Sequence, residues 1–151
     1  MKKALLLFFF LLNINLSFGQ INSQEDPAAK MLKEFYTAYN VTWSTTKNDN
    51  VLIQDIDSLR KKYCTIELYN KLKKDFSIYG LDRDLLIKDE YTNVQYIKTL
   101  KVTKSTANNA IYIVSYIDST LSPSYKPIKK NVVLNVMVVK EGLKYRIASV
   151  K

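Results

Sequence analysis

The stretch 131-NVVLNVMVVKEGLKYRIASV-150 decides the fold. Two runs rich in β-branched and apolar residues, 131–140 and 143–150, flank Glu141-Gly142. A two-residue join containing glycine between such runs predicts a tight antiparallel hairpin. Working outward from it, 109-NAIYIVSYID-118 and 94-VQYIKTLKVTKS-105 have the same strand-forming character, and the small polar residues from Thr106 to Asn109 between them suit a hairpin loop. The segment 121-LSPSYKPIKK-130 carries Pro123 and Pro127, as a loop or strand edge would. Four antiparallel strands are therefore expected from Val94 onward. The residues expected to face inward are Ile111, Ile113, Val132, Leu134, Val136, Val138, Tyr145 and Ile147, with the facing of the Val-rich 132–139 segment left open by its own pattern.

The N-terminal half has a different period. Asp26 followed by Pro27 predicts a helix start: a side-chain acceptor at the N-cap, then a proline whose missing N–H is not needed at the first position. From there Ala28, Met31, Leu32, Phe35, Ala38, Tyr39 and Trp43 recur at helical spacing, ending where Ser44 to Asn50 turns polar. A second helix places Leu52, Ile56, Leu59 and Tyr63 on one face. Thr65 is positioned to cap a third, in which Glu67 favours the positive end of the helix dipole and Leu68, Tyr69, Leu72 and Phe76 face inward; Gly80 closes it. Three helices followed by four strands is a segregated α+β arrangement.

The first nineteen of the 151 residues stand outside this pattern. Lys2 and Lys3, the apolar run Ala4 to Leu12 and the small-x-small triplet Ser17-Phe18-Gly19 have the form of a cleaved secretory signal. Nine apolar residues fall well short of the roughly 20 that span a bilayer. A mature chain of 132 residues from Gln20 is expected, forming one domain, periplasmic or secreted, with no transmembrane anchor. No cysteine lies at the cleavage site to carry a lipoprotein anchor. Without Lys2 and Lys3 the formal charge of +9 becomes +7. Export argues against nucleic acid as the partner, so the lysines are expected to solvate the surface or to meet an acidic protein or envelope. Cys64, the single cysteine, excludes an intrachain disulfide and reads as a small buried hydrophobe.

Two segments resemble exported proteins of the nuclear-transport-factor-2-like, or cystatin-like, superfamily. In 59-LRKKYCTIELYNKL-72 the resemblance is a leucine, aromatic, small cap and Glu-Leu sequence; in 143-LKYRIASV-150 it is a terminal strand alternating an aromatic and an isoleucine. The acidic stretch 82-DRDLLIKDE-90 is similar to a loop of an uncharacterised periplasmic branch of that superfamily. The resemblance implies a curved antiparallel sheet wrapped around helices with a cavity between them. The superfamily includes ketosteroid-isomerase-like enzymes, ligand carriers and non-catalytic interaction modules, so fold likeness alone does not choose a function.

Absent residue types exclude several chemistries. Without histidine there is no Ser-His-Asp or Cys-His machinery, and one cysteine cannot build an ordinary zinc site. Gly19, Gly80 and Gly142 form no phosphate-binding loop. An EF-hand reading of the acidic stretch begins with Asp82 and Asp84 but fails at Leu86, at Ile87 where the central glycine should stand, and at Asn93 in the twelfth position. No metal, cofactor or catalytic residue is assigned. An isomerase using an Asp/Tyr pair remains as the alternative, but no aspartate is seen inside an apolar face. The simpler reading makes Asp82 an Asx turn and Asp84 the cap of a turn beginning at Leu85, with Leu85, Leu86 and Ile87 pinned to the core. Loss of such a cap costs about 1 kcal/mol.

The residues carried forward for a ligand or partner are Asp82, Asp84, Asp89, Tyr91, Tyr112 and Tyr116. Tyr36, Tyr79, Tyr91, Tyr96, Tyr112, Tyr116 and Tyr125 do not all fit the inward stripes. Half-buried strand positions explain them more simply than an interface does. The function expected is a non-enzymatic binding or interaction module, in its sharper form an immunity or inhibitor protein. Its partner would be a small apolar ligand, an envelope protein, or a second copy through the sheet.

Overall fold

The computed structural model describes residues 25–81, 84–87, 94–121 and 127–151. Three helices, α1 (Pro27–Thr45), α2 (Asp49–Tyr63) and α3 (Ile66–Tyr79), precede a four-stranded antiparallel sheet of β1 (Lys101–Lys104), β2 (Ile111–Leu121), β3 (Pro127–Glu141) and β4 (Lys144–Val150). The strands lie in sequence order, β1-β2-β3-β4, a meander of hairpins in an α+β fold.

Each helix starts where a side chain can satisfy its first amides. The Asp26 carboxylate accepts from the amides of Ala28 at 2.9 Å and Ala29 at 3.3 Å. Asn48 does the same for Asn50 and Val51, and Thr65 for Leu68. Arg60, Lys61 and Lys62 occupy the last turn of α2, where cations meet the negative end of the dipole. Gly80 ends α3 at φ +61°, a left-handed conformation costly for residues with a Cβ.

The core lies between α1 and the sheet. Ala28, Leu32, Phe35, Tyr36 and Tyr39 of α1 are buried against Tyr112, Val114 and Tyr116 of β2 and Val132, Leu134, Val136 and Val138 of β3. Val132, Leu134, Val136, Val138 and Ile147 face inward as expected, and Tyr145 is half-buried at the margin. Ile111 and Ile113 do not. They are half-buried on the opposite face, and Tyr112, Val114 and Tyr116 take the inner one. Both alternating sets of β2 are apolar, so its own pattern could not choose. Pairing Tyr112, Val114 and Tyr116 with Val136, Leu134 and Val132 decides it, because a one-residue slip exchanges the faces of a strand.

The segment expected as a first strand from Val94 divides in two. Val94–Thr99 is a 3₁₀ helix and only Lys101–Lys104 is strand. Tyr96 is buried and stacks on Tyr116 with ring centroids 5.4 Å apart. The Thr99 hydroxyl oxygen accepts from the Ile117 amide at 2.9 Å. Those tertiary contacts override the local β propensity.

β4 contains an irregularity that keeps its own apolar residues inside. Ser149 pairs with Met137, but Ile147 pairs with Val138, so Ala148 is the extra residue of a β-bulge. Beyond β4, the α2–α3 junction continues the ladder: Cys64 bridges Ile147 and the Thr65 amide donates to the Ile147 carbonyl at 2.9 Å. The junction thus covers part of an edge that would otherwise present free backbone groups.

Candidate functional site

The acidic stretch enters the core through one residue. Asp84 precedes a turn over Leu85–Ile87, and its Oδ1 accepts from the Leu86 amide at 2.8 Å. Its Oδ2 accepts from the Tyr39 hydroxyl at 2.5 Å and from Arg60 Nη2 at 2.9 Å. Arg60 Nε in turn donates to the Tyr39 oxygen at 2.8 Å, closing a three-membered ring of side chains from α1, α2 and the turn. The ion pair is almost dry, with side-chain exposures of 6% for Arg60 and 1% for Asp84.

The same turn is held by its carbonyls. Tyr36 donates to the Leu86 carbonyl at 3.2 Å and Tyr116 to the Ile87 carbonyl at 3.0 Å. Leu86 and Ile87 are fully buried. Leu85 lies at the core margin. The expectation of a capped, hydrophobically anchored connection therefore holds for residues 84–87. The expectation that no aspartate sits in apolar surroundings does not: Asp84 is one, and it is far more than a cap.

Electrostatics follow from this geometry. Burial, reinforced by the Asp84 charge and only partly countered by Arg60, holds the Tyr39 hydroxyl well above its ordinary pKa. Tyr36 is raised too, chiefly by burial. Both stay neutral donors at physiological pH. Burial opposes the Arg60 charge, but the Tyr39 and Asp84 side chains more than offset it and its pKa is raised. A hydroxyl 2.5 Å from a buried carboxylate has the spacing of an acid–base pair. Here, however, both acceptor positions of Asp84 Oδ2 are filled from within the protein.

Of the other candidates, Asp82, Asp89 and Tyr91 lie outside the described residues. Tyr112 is far along β2 from the turn, donating to the Asp26 carboxylate at 2.9–3.0 Å, where Lys104 pairs with the same group at 3.2 Å. Burial pushes the Asp26 carboxyl up, but Tyr112, the Ala28 and Ala29 amides and Lys104 outweigh it and lower its pKa overall. Tyr116 touches the turn through the Ile87 carbonyl. The six candidates thus do not form one constellation: Asp84 and Tyr116 share the turn, and Tyr112 helps to fasten the start of α1 to the sheet.

Tyr39 and Arg60 were the residues sequence reasoning missed as a pair. The signal was present for Arg60: Leu52, Ile56 and Arg60 recur at i, i+4, i+8, which places a guanidinium on the apolar stripe of α2. The tyrosines need no interface explanation at Tyr36, Tyr96, Tyr112 and Tyr116, all buried, whereas Tyr79 is exposed and Tyr125 is outside the described residues. Cys64 is buried, and burial pushes its thiol up to about 12, so it is no nucleophile at neutral pH.

Besides a smaller concavity of about 150 Å³ beside Leu85 and Leu86, two larger ones border Arg60 and Asp26. One, of about 290 Å³, opens between α2 and α3 and is lined by Ile53, Ile56, Arg60, Lys73 and Phe76. The other, of about 370 Å³, surrounds the Asp26–Lys104–Tyr112 cluster near Val138 and Tyr145. Among the described residues no three His, Cys, Asp or Glu side chains group as metal ligands. Nor, among them, is any helix long and apolar enough to cross a membrane.

No known protein family and no curated protein matches the chain. It is similar to the crystal structure of a protein of unknown function from Bacteroides thetaiotaomicron VPI-5482, with 27% sequence identity and a TM-score of 0.67. The match covers 93% of this chain and 98% of that one, so the architecture is shared over nearly the whole of both.

Proposed function

We propose that the chain is an exported, non-enzymatic binding or protein-interaction module with a nuclear-transport-factor-2-like (cystatin-like) fold, acting in the periplasm or outside the cell. The observation that carries this reading is the closed ring of Tyr39, Arg60 and Asp84. A general base needs an acceptor position turned toward substrate, and three of the roughly four positions of this carboxylate are taken by the Leu86 amide, the Tyr39 hydroxyl and Arg60. Phe35, Tyr36, Leu86 and Tyr116 fill the layer where a substrate would have to lie.

A partner surface is available on the outer face of the sheet. Ile117 and Val133 are exposed there, Ile113 and Met137 are half-buried, and Lys101, Thr103 and Lys129 lie on the same face and are exposed. An acidic envelope protein suits the net positive charge, as an immunity or inhibitor role would require. A second copy through the sheet is the other occupant. In a cross-linking experiment with a photoreactive residue at position 133, adducts should diminish as salt rises, because exposed charges are screened within about 10 Å at 0.1 M. Salt-insensitive adducts would count against the acidic partner, and adducts joining two copies would identify a dimer.

The 2.5 Å contact between Tyr39 and Asp84 favours one second reading, a ketosteroid-isomerase-like lyase or isomerase. It predicts Asp84-dependent exchange of ketone α-protons with deuterated water. Absence of that exchange is the result expected of a binding module.

A further inference from the structure

The cleft between α2 and α3 has an apolar wall that only partly serves the core. Ile53 and Phe76 line it, yet neither belongs to the buried core or to the hydrophobic side chains packed against that core. Ile56 extends the apolar wall. Arg60 comes to the cleft from inside: its guanidinium carbon lies 5.8 Å from the Phe76 ring centroid, in cation–π range.

The donors of Arg60 are only partly used. A guanidinium has five N–H donors in a rigid plane. One of them goes to Tyr39 and one to Asp84, both from the Nε–Nη2 edge. Nη1 makes no bond among the described residues and belongs to the other edge. A charged donor set in a site of low dielectric favours an oxygen acceptor more strongly than water-exposed groups do. Lys73 supplies a second cation at the exposed rim, and the one acid of the cleft, Asp57, already accepts from the Tyr69 hydroxyl at 3.0 Å. About 290 Å³ is at the small end of ligand pockets, which run from about 300 to 1,000 Å³. It suits one ring or a short branched chain.

We propose that the α2–α3 cleft binds a small monocarboxylate with an aromatic or branched aliphatic body, its carboxylate on Arg60 and Lys73 and its body against Ile53, Ile56 and Phe76. The site rests on the binding-module reading and gives it a ligand class. The residues were separable in the sequence only as ordinary parts of two helix faces; packing α2 beside α3 brings them to one wall.

The test is a titration of the isotope-labelled mature chain with phenylacetate and, in parallel, with phenylacetamide, followed by amide chemical shifts. Phenylacetate at millimolar concentration should move the amides of 53–60 and 73–76, and phenylacetamide should bind about tenfold more weakly, the loss of one charge-assisted contact. Lys73 is exposed and lies over the Tyr69 ring, 5.6 Å from the centroid. Lys73→Gln, which keeps the length of the side chain, should therefore weaken phenylacetate severalfold and change phenylacetamide much less, with an unchanged amide spectrum elsewhere as the check on the fold. No shifts, shifts centred elsewhere, or equal affinity for acid and amide would overturn the site. Shifts at these residues with the phenylacetate chemically consumed would uphold the cleft and overturn the non-catalytic reading, so the two failures are distinguishable.

Discussion

Replacing Asp84 by alanine tests how the acidic stretch holds the fold. The substitution leaves the Arg60 side chain, 6% exposed, without its counter-charge. Removing one partner of a buried ion pair costs about 3–5 kcal/mol, because the other charge remains desolvated. The Leu86 amide and the Tyr39 hydroxyl also lose their acceptor, while water entering the space recovers part of that loss. A net destabilisation of about 4 kcal/mol is expected, against about 1 kcal/mol for a turn cap alone. For a domain of this size the midpoint should fall by about 10–15 °C. Thermal and urea unfolding followed by circular dichroism would measure it, with an unchanged urea slope as the check that only stability has moved. The double variant Arg60→Met/Asp84→Leu should be more stable than either single change, since an apolar pair removes both desolvation costs. A loss near 1 kcal/mol for Asp84→Ala, or additive effects in the double variant, would refute the buried-pair account.

Three further outcomes are expected. Tyr36 and Tyr39 are held well above the ordinary 10.0, and Cys64 is raised from 9.0 to about 12. The folded state therefore keeps protons that the unfolded state releases, so stability is full below pH 9 and falls above it, more steeply above pH 10. Each such group contributes a slope of about 1.4 kcal/mol per pH unit while its two states differ; Tyr39→Phe should flatten the alkaline limb, and a steeper limb would contradict this. A maleimide should leave Cys64 unlabelled in the native protein at pH 8 and label it fully in denaturant, whereas rapid native labelling would show the thiol to be accessible. Gly142 has φ +60° with open space around an added Cβ, so Gly142→Ala should cost about 1–2 kcal/mol from backbone strain alone, measured by urea unfolding, and Gly142→Asn clearly less.

The elements most legible in the sequence were those whose signals are local. Asp26-Pro27, Thr65 and Gly80 mark helix ends by hydrogen-bonding capacity and backbone freedom, and all three act as read. The hairpin is equally local, although its turn is Gly142-Leu143, one residue later than read, because Glu141 pairs with Lys144 as the last residue of β3. The missed features have long-range causes. Val94–Thr99 has strand composition but folds as a 3₁₀ helix because Tyr96 stacks on a residue twenty positions later. Ile111 and Ile113 lost the inner face to Tyr112, Val114 and Tyr116 because β3 set the register. At the candidate site, Asp84 was read as a cap because its partners are 45 and 24 residues away.

By itself the sequence determined the succession of three α-helices and four strands, the caps that begin the first and third helices and the exclusion of histidine- and disulfide-based chemistry. The connection read over 44–50 is shorter, α1 reaching Thr45 and α2 beginning at Asp49. The features read correctly depend on period, capping and composition, which act over a few residues. Tertiary structure alone decided which side of β2 is core and that a carboxylate from an acidic stretch is buried. It also gave Arg60 an acidic partner on one edge of its guanidinium, while Nη1 makes no bond among the described residues. An isolated helix face records that a charge stands on it, but not which opposite charge will meet it once the chain packs and water is removed.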